Sequence, residues 1–137
     1  MTALIGIDLG SKRIGLAVAS GSVATPLRVM ARSGDDAADA AIIAAEAAER
    51  GASRVVLGHP RKLDGTTGPA AQAAEAFAEV LRTAGLEVVL WDERLSTAEV
   101  DKMLIGSGAR RERRREVVDK LAAAVILQGY LDSRPRE

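Results

Sequence analysis

The chain of 137 residues contains no cysteine, which excludes disulfide bonds and thiolate metal sites. This composition fits a reducing compartment such as the cytoplasm. Only three aromatic residues are present, so base stacking is not expected to dominate binding of nucleic acid. The formal net charge is zero because 19 basic residues balance 19 acidic ones. Affinity for a polyanion would therefore need a local basic patch.

Long apolar runs are also missing. No apolar stretch approaches the roughly 20 residues that span a membrane, and no basic segment followed by an apolar run stands at the start of the sequence. We therefore expect a cytoplasmic protein without a membrane partner. The length is typical of one domain, and we expect residues 1–137 to form a single domain.

The pattern of apolar residues predicts both strands and helices. Three strands come first, at residues 3–9, 13–20 and 26–31. Helices at 35–51 and 69–84 then alternate with short, continuously apolar strands at 54–58 and 87–91. A capping box begins a helix at Ser96, and a last helix is expected from about 116 to 131, after a basic linker. This order predicts an α/β fold with a mixed five-stranded sheet, the first strand central and helices on both faces.

The first predicted strand has one unusual face. It carries Gly6, Asp8 and Gly10 where an ordinary buried face would carry larger apolar residues. Glycine in a strand often marks the close approach of a ligand or of another backbone. Asp8 is therefore expected on a face that is kept clear beside it.

Three acidic residues stand where a carboxylate is unfavourable. Asp8 interrupts the first strand, Glu93 follows the last strand, and Asp119 lies beside the apolar stripe of the final helix. If the three share a site, their mutual repulsion requires cations, and oxygen ligands without cysteine favour Mg²⁺ or Mn²⁺ over zinc. Two such ions about 4 Å apart can activate a water and stabilise the leaving oxygen in phosphodiester cleavage.

Each of these acids also has a purely structural interpretation, because each has a basic neighbour within reach. The candidate ion pairs are Asp8 with Lys12 or Arg13, Glu93 with Arg94, and Asp119 with Arg115. The sequence pattern alone leaves both interpretations open.

Basic residues crowd the predicted linker before the last helix. They are Arg110, Arg111, Arg113, Arg114 and Arg115. Such a run is either a solvated face or a phosphate-binding surface, and its position one turn before Asp119 favours the second. Lys12, Arg13, Arg61 and Lys62 could extend the same rim. Recognition would then depend on backbone charge and shape rather than on base identity.

Four segments, in this order, resemble the bacterial YqgF family, also called RuvX: GIDLGSKRIGLAVA, VVLGHPRKLDGTTGPAAQ, DERLST and VDKLAAAVILQGYL. The resemblance extends from Ile5 to about Leu131. It implies a ribonuclease-H-like fold related to the RuvC resolvases. It also implies a metal site built from Asp8, Glu93 and Asp119, and it adds Arg94 to the candidate nucleic-acid contacts.

The family is described both as Holliday junction resolvases and as nucleases for precursor ribosomal RNA. The resemblance therefore implies a divalent-metal-dependent nuclease that acts in 5′-end maturation of precursor 16S rRNA, on branched DNA, or on both. A non-catalytic nucleic-acid-binding module of the same fold is the alternative. A homodimer, which symmetric junction cutting would require, stays open. His59 departs from the family pattern, and we expect it to be a loop residue with a free imidazole.

Overall fold

The computed structural model describes residues 3–60, 68–92 and 111–133, and the side chains of these residues except for 111–120. Strands and helices in this part of the chain are β1 (Ala3–Leu9), β2 (Arg13–Ala19), β3 (Thr25–Ala31), α1 (Asp36–Glu49), β4 (Ala52–His59), α2 (Pro69–Thr83), β5 (Glu87–Asp92) and α3 (Arg111–Ser133). Within these residues, no helix is both long enough and apolar enough to cross a membrane.

The five strands form one mixed sheet in the order β3-β2-β1-β4-β5, which confirms the central position of β1. The β1–β2 and β2–β3 pairs are antiparallel, whereas β4 pairs in parallel with both β1 and β5. Residues 55–59 of β4 are all buried, as expected for a strand covered on both faces. The α/β fold class and the five-stranded sheet predicted from the sequence are therefore confirmed.

The two faces of the sheet are covered by different helices. Ile5 and Ile7 of β1 belong to the larger core, which includes Phe77 of α2 and Ile43 of α1. Leu4, on the opposite face of β1, packs in a second core with Ala17, Val56, Ala123 and Leu127. Because side chains alternate along a strand, Gly6 and Asp8 share the face of Leu4, and α3 covers that face.

The helix α3 packs closely against β1 at Gly6. A Cβ atom at Gly6 would lie 2.7 Å from the Leu127 Cβ and 2.8 Å from the Ala123 carbonyl oxygen. The glycine therefore marks the approach of another backbone, which is one of the two alternatives that the sequence suggested. Packing this close fixes the distance between α3 and β1.

The last helix is longer than predicted at its N-terminal end. It begins at Arg111 rather than near Glu116, so four of the five arginines belong to α3 and not to a linker. Arginine and glutamate both favour helix, and here this local propensity outweighs the interpretation of a charge run as coil. Arg110 and the helix predicted at Ser96 lie outside the described residues. The predicted apolar stripe of this helix consists of Leu121, Ala122, Val125 and Ile126. Ala122 and Ile126 are buried, whereas Leu121 and Val125 are half-buried. Ala123 and Leu127, which are not in the predicted stripe, are fully buried.

Candidate active site

The carboxyl ends of three parallel strands meet along one edge of the sheet. The last residues of these strands are Asp8 and Leu9 of β1, His59 of β4 and Asp92 of β5. We call this group of residues the carboxyl edge. In the parallel ladder, Ile7 is level with Leu57, and His59 is level with Asp92. Ligand sites of open α/β sheets lie outside such strand ends. The carboxyl edge is therefore the candidate active site.

Asp8 is the predicted site residue that the structure describes most fully. It is half-buried near the end of the central strand, and its backbone is level with Gly15 of β2. Its side chain is on the α3 side of the sheet, two residues beyond Gly6. A partly buried carboxylate is costly unless it is paired, hydrogen-bonded or bound to a cation. The strand thus presents an acid at the carboxyl edge beneath α3.

The direction of α3 brings its first half toward Asp8. Ala123 and Leu127 contact Gly6, while Tyr130, further along α3, accepts a hydrogen bond of 3.2 Å from Arg54, which is level with Leu4. The helix therefore runs back along β1, opposite to the strand direction. Position 119 lies one turn before Ala123, about 6 Å along the helix axis. Asp8 lies about 6.6 Å beyond Gly6 along the strand. Because the helix and the strand are antiparallel, the step from Ala123 to position 119 and the step from Gly6 to Asp8 both lead toward the carboxyl edge.

The other predicted ligands and most basic contacts lie outside what the structure describes. Glu93 follows Asp92 directly in the sequence but is not among the described residues, and for Asp119 only the backbone is described. The side chains described include no group of three acidic or histidine residues placed to hold a metal ion, and Asp8 is the one predicted ligand among them. Arg61, Lys62 and Arg94 also lie outside, as do the side chains of Arg111, Arg113, Arg114 and Arg115.

Lys12 and Arg13 are the described basic residues of the predicted rim. Lys12 lies in the β1–β2 turn and is exposed, as a phosphate contact requires, whereas Arg13 is half-buried. The turn is tight, because the Gly10 amide donates a hydrogen bond of 2.8 Å to the Arg13 carbonyl. A Cβ atom at Gly10 would lie 2.8 Å from that same carbonyl oxygen, so only glycine fits there without a shift.

His59 is not a loop residue with a free imidazole, and that prediction is wrong. It is the last residue of β4, 5% exposed, and its Nε2 lies 3.1 Å from the Glu75 Oε1 of α2. Like Val55 and Leu57, it is on the α1–α2 face of the sheet, opposite the face of Asp8. His59 therefore holds the end of β4 to α2, on the face of the sheet opposite Asp8.

Sequence reasoning missed one residue that supports the carboxyl edge. Arg32, which follows β3, donates hydrogen bonds to the carbonyls of Gly10 and Lys12 in the β1–β2 turn. Gly10 and Lys12 lie 22 and 20 positions before Arg32 in the sequence, and only the β2–β3 pairing brings them together. The predicted third strand was the signal that could have identified Arg32. A hairpin of β2 and β3 places the end of β3 beside the start of β2, and therefore beside the β1–β2 turn.

Two solved structures share this architecture. RuvC of Thermus thermophilus, solved in complex with a Holliday junction substrate, superposes with a TM-score of 0.58 at 19% identity, covering 96% of each chain. A second RuvC structure from the same organism gives a TM-score of 0.51 at 18% identity, again covering 96% of each chain. Identity this low shows the fold alone. The chain has a RuvC-like fold of the ribonuclease-H-like class, as the family resemblance implies.

Sequence comparison identifies the family within that class. The sequence model of the family described as "RuvX: Holliday junction resolvase" matches residues 2–133. A relative from Cereibacter sphaeroides is 49% identical over 133 residues, covering 95% of this chain and 82% of its own. Relatives from Bacillus pumilus and Geobacillus kaustophilus are 40% and 46% identical, each alignment covering 95% of this chain and 97% of the relative. All three carry the name "Putative pre-16S rRNA nuclease". The chain belongs to the RuvX family.

Proposed function

We propose that this protein is a divalent-metal-dependent nuclease that hydrolyses phosphodiester bonds. Membership of the RuvX family and the names of the relatives support this activity. The observation that carries it is the placement of Asp8 near the end of the central strand, on the face of the sheet that α3 covers. We assign residues 1–137 to one catalytic domain and place it in the cytoplasm, where a chain without cysteine fits.

The proposed metal ligands are Asp8, Glu93 and Asp119. All three offer hard carboxylate oxygens, and the sequence has no cysteine, so the donor set fits two Mg²⁺ or Mn²⁺ ions. When bound, such ions supply a water nucleophile and stabilisation of the leaving oxygen. The contribution of the chain is a rigid support for Asp8, because β1 is hydrogen-bonded on both sides and covered on both faces.

The substrate proposed is precursor ribosomal RNA, branched DNA, or both, and one assay separates them. Purified protein is incubated with a 5′-extended single-stranded RNA and with a four-way DNA junction, in Mg²⁺, in Mn²⁺ and in EDTA. We expect metal-dependent hydrolysis of at least one substrate. Tight binding of both without cleavage would instead support a non-catalytic binding module. Symmetric junction cutting would also require a two-fold homodimer, which the molar mass in solution measures directly.

The arginines at the start of α3 are proposed to bind phosphates without reading sequence. Replacing Arg113 and Arg114 with alanine should weaken binding equally for all sequences. It should also reduce the slope of log K against log salt by about one for each lost contact. Adjacent residues of a helix are about 100° apart, so the single variants should differ if only one of the two faces the substrate. If the salt dependence of binding is unchanged in the double variant, these arginines form a solvated face and do not bind phosphates.

A further inference from the structure

Arg32 connects the segment before α1 to the β1–β2 turn. Its Nη1 donates a hydrogen bond of 3.0 Å to the Gly10 carbonyl, and its backbone amide donates one of 2.9 Å to the Lys12 carbonyl. The side chain is only 21% exposed. One residue therefore holds the turn at two points, and one of these bonds depends on the guanidinium. A charged donor makes that bond stronger than a neutral one.

Arg32 is itself fixed by the beginning of α1. Its Nη2 lies 3.1 Å from the Asp36 Oδ1. Asp35 caps the helix by accepting hydrogen bonds of 3.0 and 3.3 Å from two amides of the first turn. The next residue, Ser33, donates its amide to the buried carboxylate of Asp39 at 3.2 and 3.3 Å. The guanidinium thus extends from a segment that hydrogen bonds connect to both the β1–β2 turn and the first turn of α1.

The turn that Arg32 holds is the end of the strand that carries Asp8. The β1–β2 ladder reaches Leu9 and Ile14, and Gly10 follows immediately. Local opening is easiest in loops with few hydrogen bonds, and Arg32 adds two hydrogen bonds to this turn. Because Asp8 is two residues from Gly10, the precision with which its carboxylate is placed depends on this turn.

We infer that Arg32 is a positioning residue, which acts through Gly10 and Lys12 to hold Asp8 in the orientation that binds metal. This inference rests on the proposed function. Outer-shell partners of metal ligands typically contribute about 10- to 100-fold to metal affinity or activity. Arg32 is expected to contribute at the lower end of that range, because it acts on the ligand through the backbone.

The test compares three variants of the full chain. Arg32→Met keeps the aliphatic stem and removes the donors, which separates the hydrogen bonds from packing. Arg32→Lys keeps the charge but offers a single donor nitrogen in place of the three nitrogens of the guanidinium. Arg28→Met is the matched control, since Arg28 on β3 also binds a carboxylate of α1, Glu46 at 2.9 Å, but does not contact the turn.

Three measurements are made on each variant: Mn²⁺ affinity by titration, kcat for cleavage, and amide hydrogen exchange at residues 10–13 without metal. For Arg32→Met we expect about tenfold weaker Mn²⁺ binding, about tenfold lower kcat and faster exchange in the turn. Arg32→Lys should fall between Arg32→Met and wild type, and Arg28→Met should match wild type. An Arg32→Met variant that matches Arg28→Met in Mn²⁺ affinity and kcat would overturn the inference. If Arg32→Met does not fold, Arg32→Lys decides, and Mn²⁺ binding equal to that of Arg28→Met overturns it.

Asp8→Asn, measured in the same series, separates this inference from the proposed function. If Asp8→Asn abolishes cleavage and weakens Mn²⁺ binding while Arg32→Met behaves as wild type, only the role of Arg32 is lost. If Asp8→Asn leaves both unchanged, the metal site itself is wrong.

Discussion

Replacing Asp8 with asparagine should abolish metal-dependent cleavage and leave the protein folded. Asparagine is nearly isosteric with aspartate, so packing beside Gly6 and Gly10 should survive. The variant loses one negative charge and a metal ligand. Metal ions supply several kcal/mol of transition-state stabilisation, and about 4 kcal/mol corresponds to roughly a thousandfold in rate. Single-turnover cleavage in Mn²⁺ measures the effect.

Nucleic acid binding should persist in Asp8→Asn, because the arginines of α3 are unchanged. Asp132→Asn is the matched control, since it removes the same charge from an exposed position near the end of α3, and it should cleave like wild type. The ion-pair alternative predicts a different result. If Asp8 only pairs with Lys12 or Arg13, the change should cost about 1 kcal/mol of stability or less and leave activity intact. A folded Asp8→Asn protein that cuts at the wild-type rate would contradict the metal-site assignment.

Replacing Gly6 with alanine should destabilise the protein and impair cleavage together. The new Cβ would meet the Leu127 Cβ at 2.7 Å and the Ala123 carbonyl at 2.8 Å, so α3 must move away from β1. Overpacking of this kind costs about 1 to 3 kcal/mol, and it should lower Tm by several degrees. Position 119 would move with the helix, and a misplacement of about 1 Å can cost roughly a hundredfold in rate. Thermal unfolding and cleavage measured on one preparation test both effects.

Gly129→Ala is the control for this prediction, because it adds the same methyl group to α3 at a more tolerant place. Its nearest neighbour would be the Trp91 Nε1 at 3.1 Å, a side-chain contact that a shift of a few tenths of an ångström would relieve, whereas the contacts at Gly6 are shorter and include a backbone oxygen. Alanine also favours helix over glycine by about 1 kcal/mol. We expect Gly129→Ala to stay within about 1 kcal/mol of wild type. If Gly6→Ala and wild type are equally stable and equally active, the position of α3 on β1 does not depend on the absence of a side chain at Gly6.

The parts of the fold that were predictable from the sequence are those that depend on local periodicity. Alternation in β1 assigned Ile5 and Ile7 to one face and Asp8 to the other, and the continuous apolar run of β4 marked a strand buried on both faces. The start of α3 was not predictable in this way. Its first turns are charged throughout, and charge carries no periodic signal that separates helix from coil.

Parts of the candidate site depend on contacts between distant elements, which the sequence does not encode locally. His59 meets Glu75 because of the way α2 packs on β4, and Arg32 reaches Gly10 because of the β2–β3 hairpin and a long side chain. Neither pair has a spacing that a helix or strand period would reveal. The acids are different, because a carboxylate inside a strand is anomalous in the sequence itself.

The central claim, a metal site formed by Asp8, Glu93 and Asp119, is tested most directly by anomalous diffraction from a crystal of the protein containing Mn²⁺. The account predicts manganese peaks at the carboxyl edge, with carboxylate oxygens of all three residues as ligands and, for two ions, a separation of about 4 Å. An ordered site in which the three carboxylates lie apart, or manganese bound only elsewhere, would contradict it.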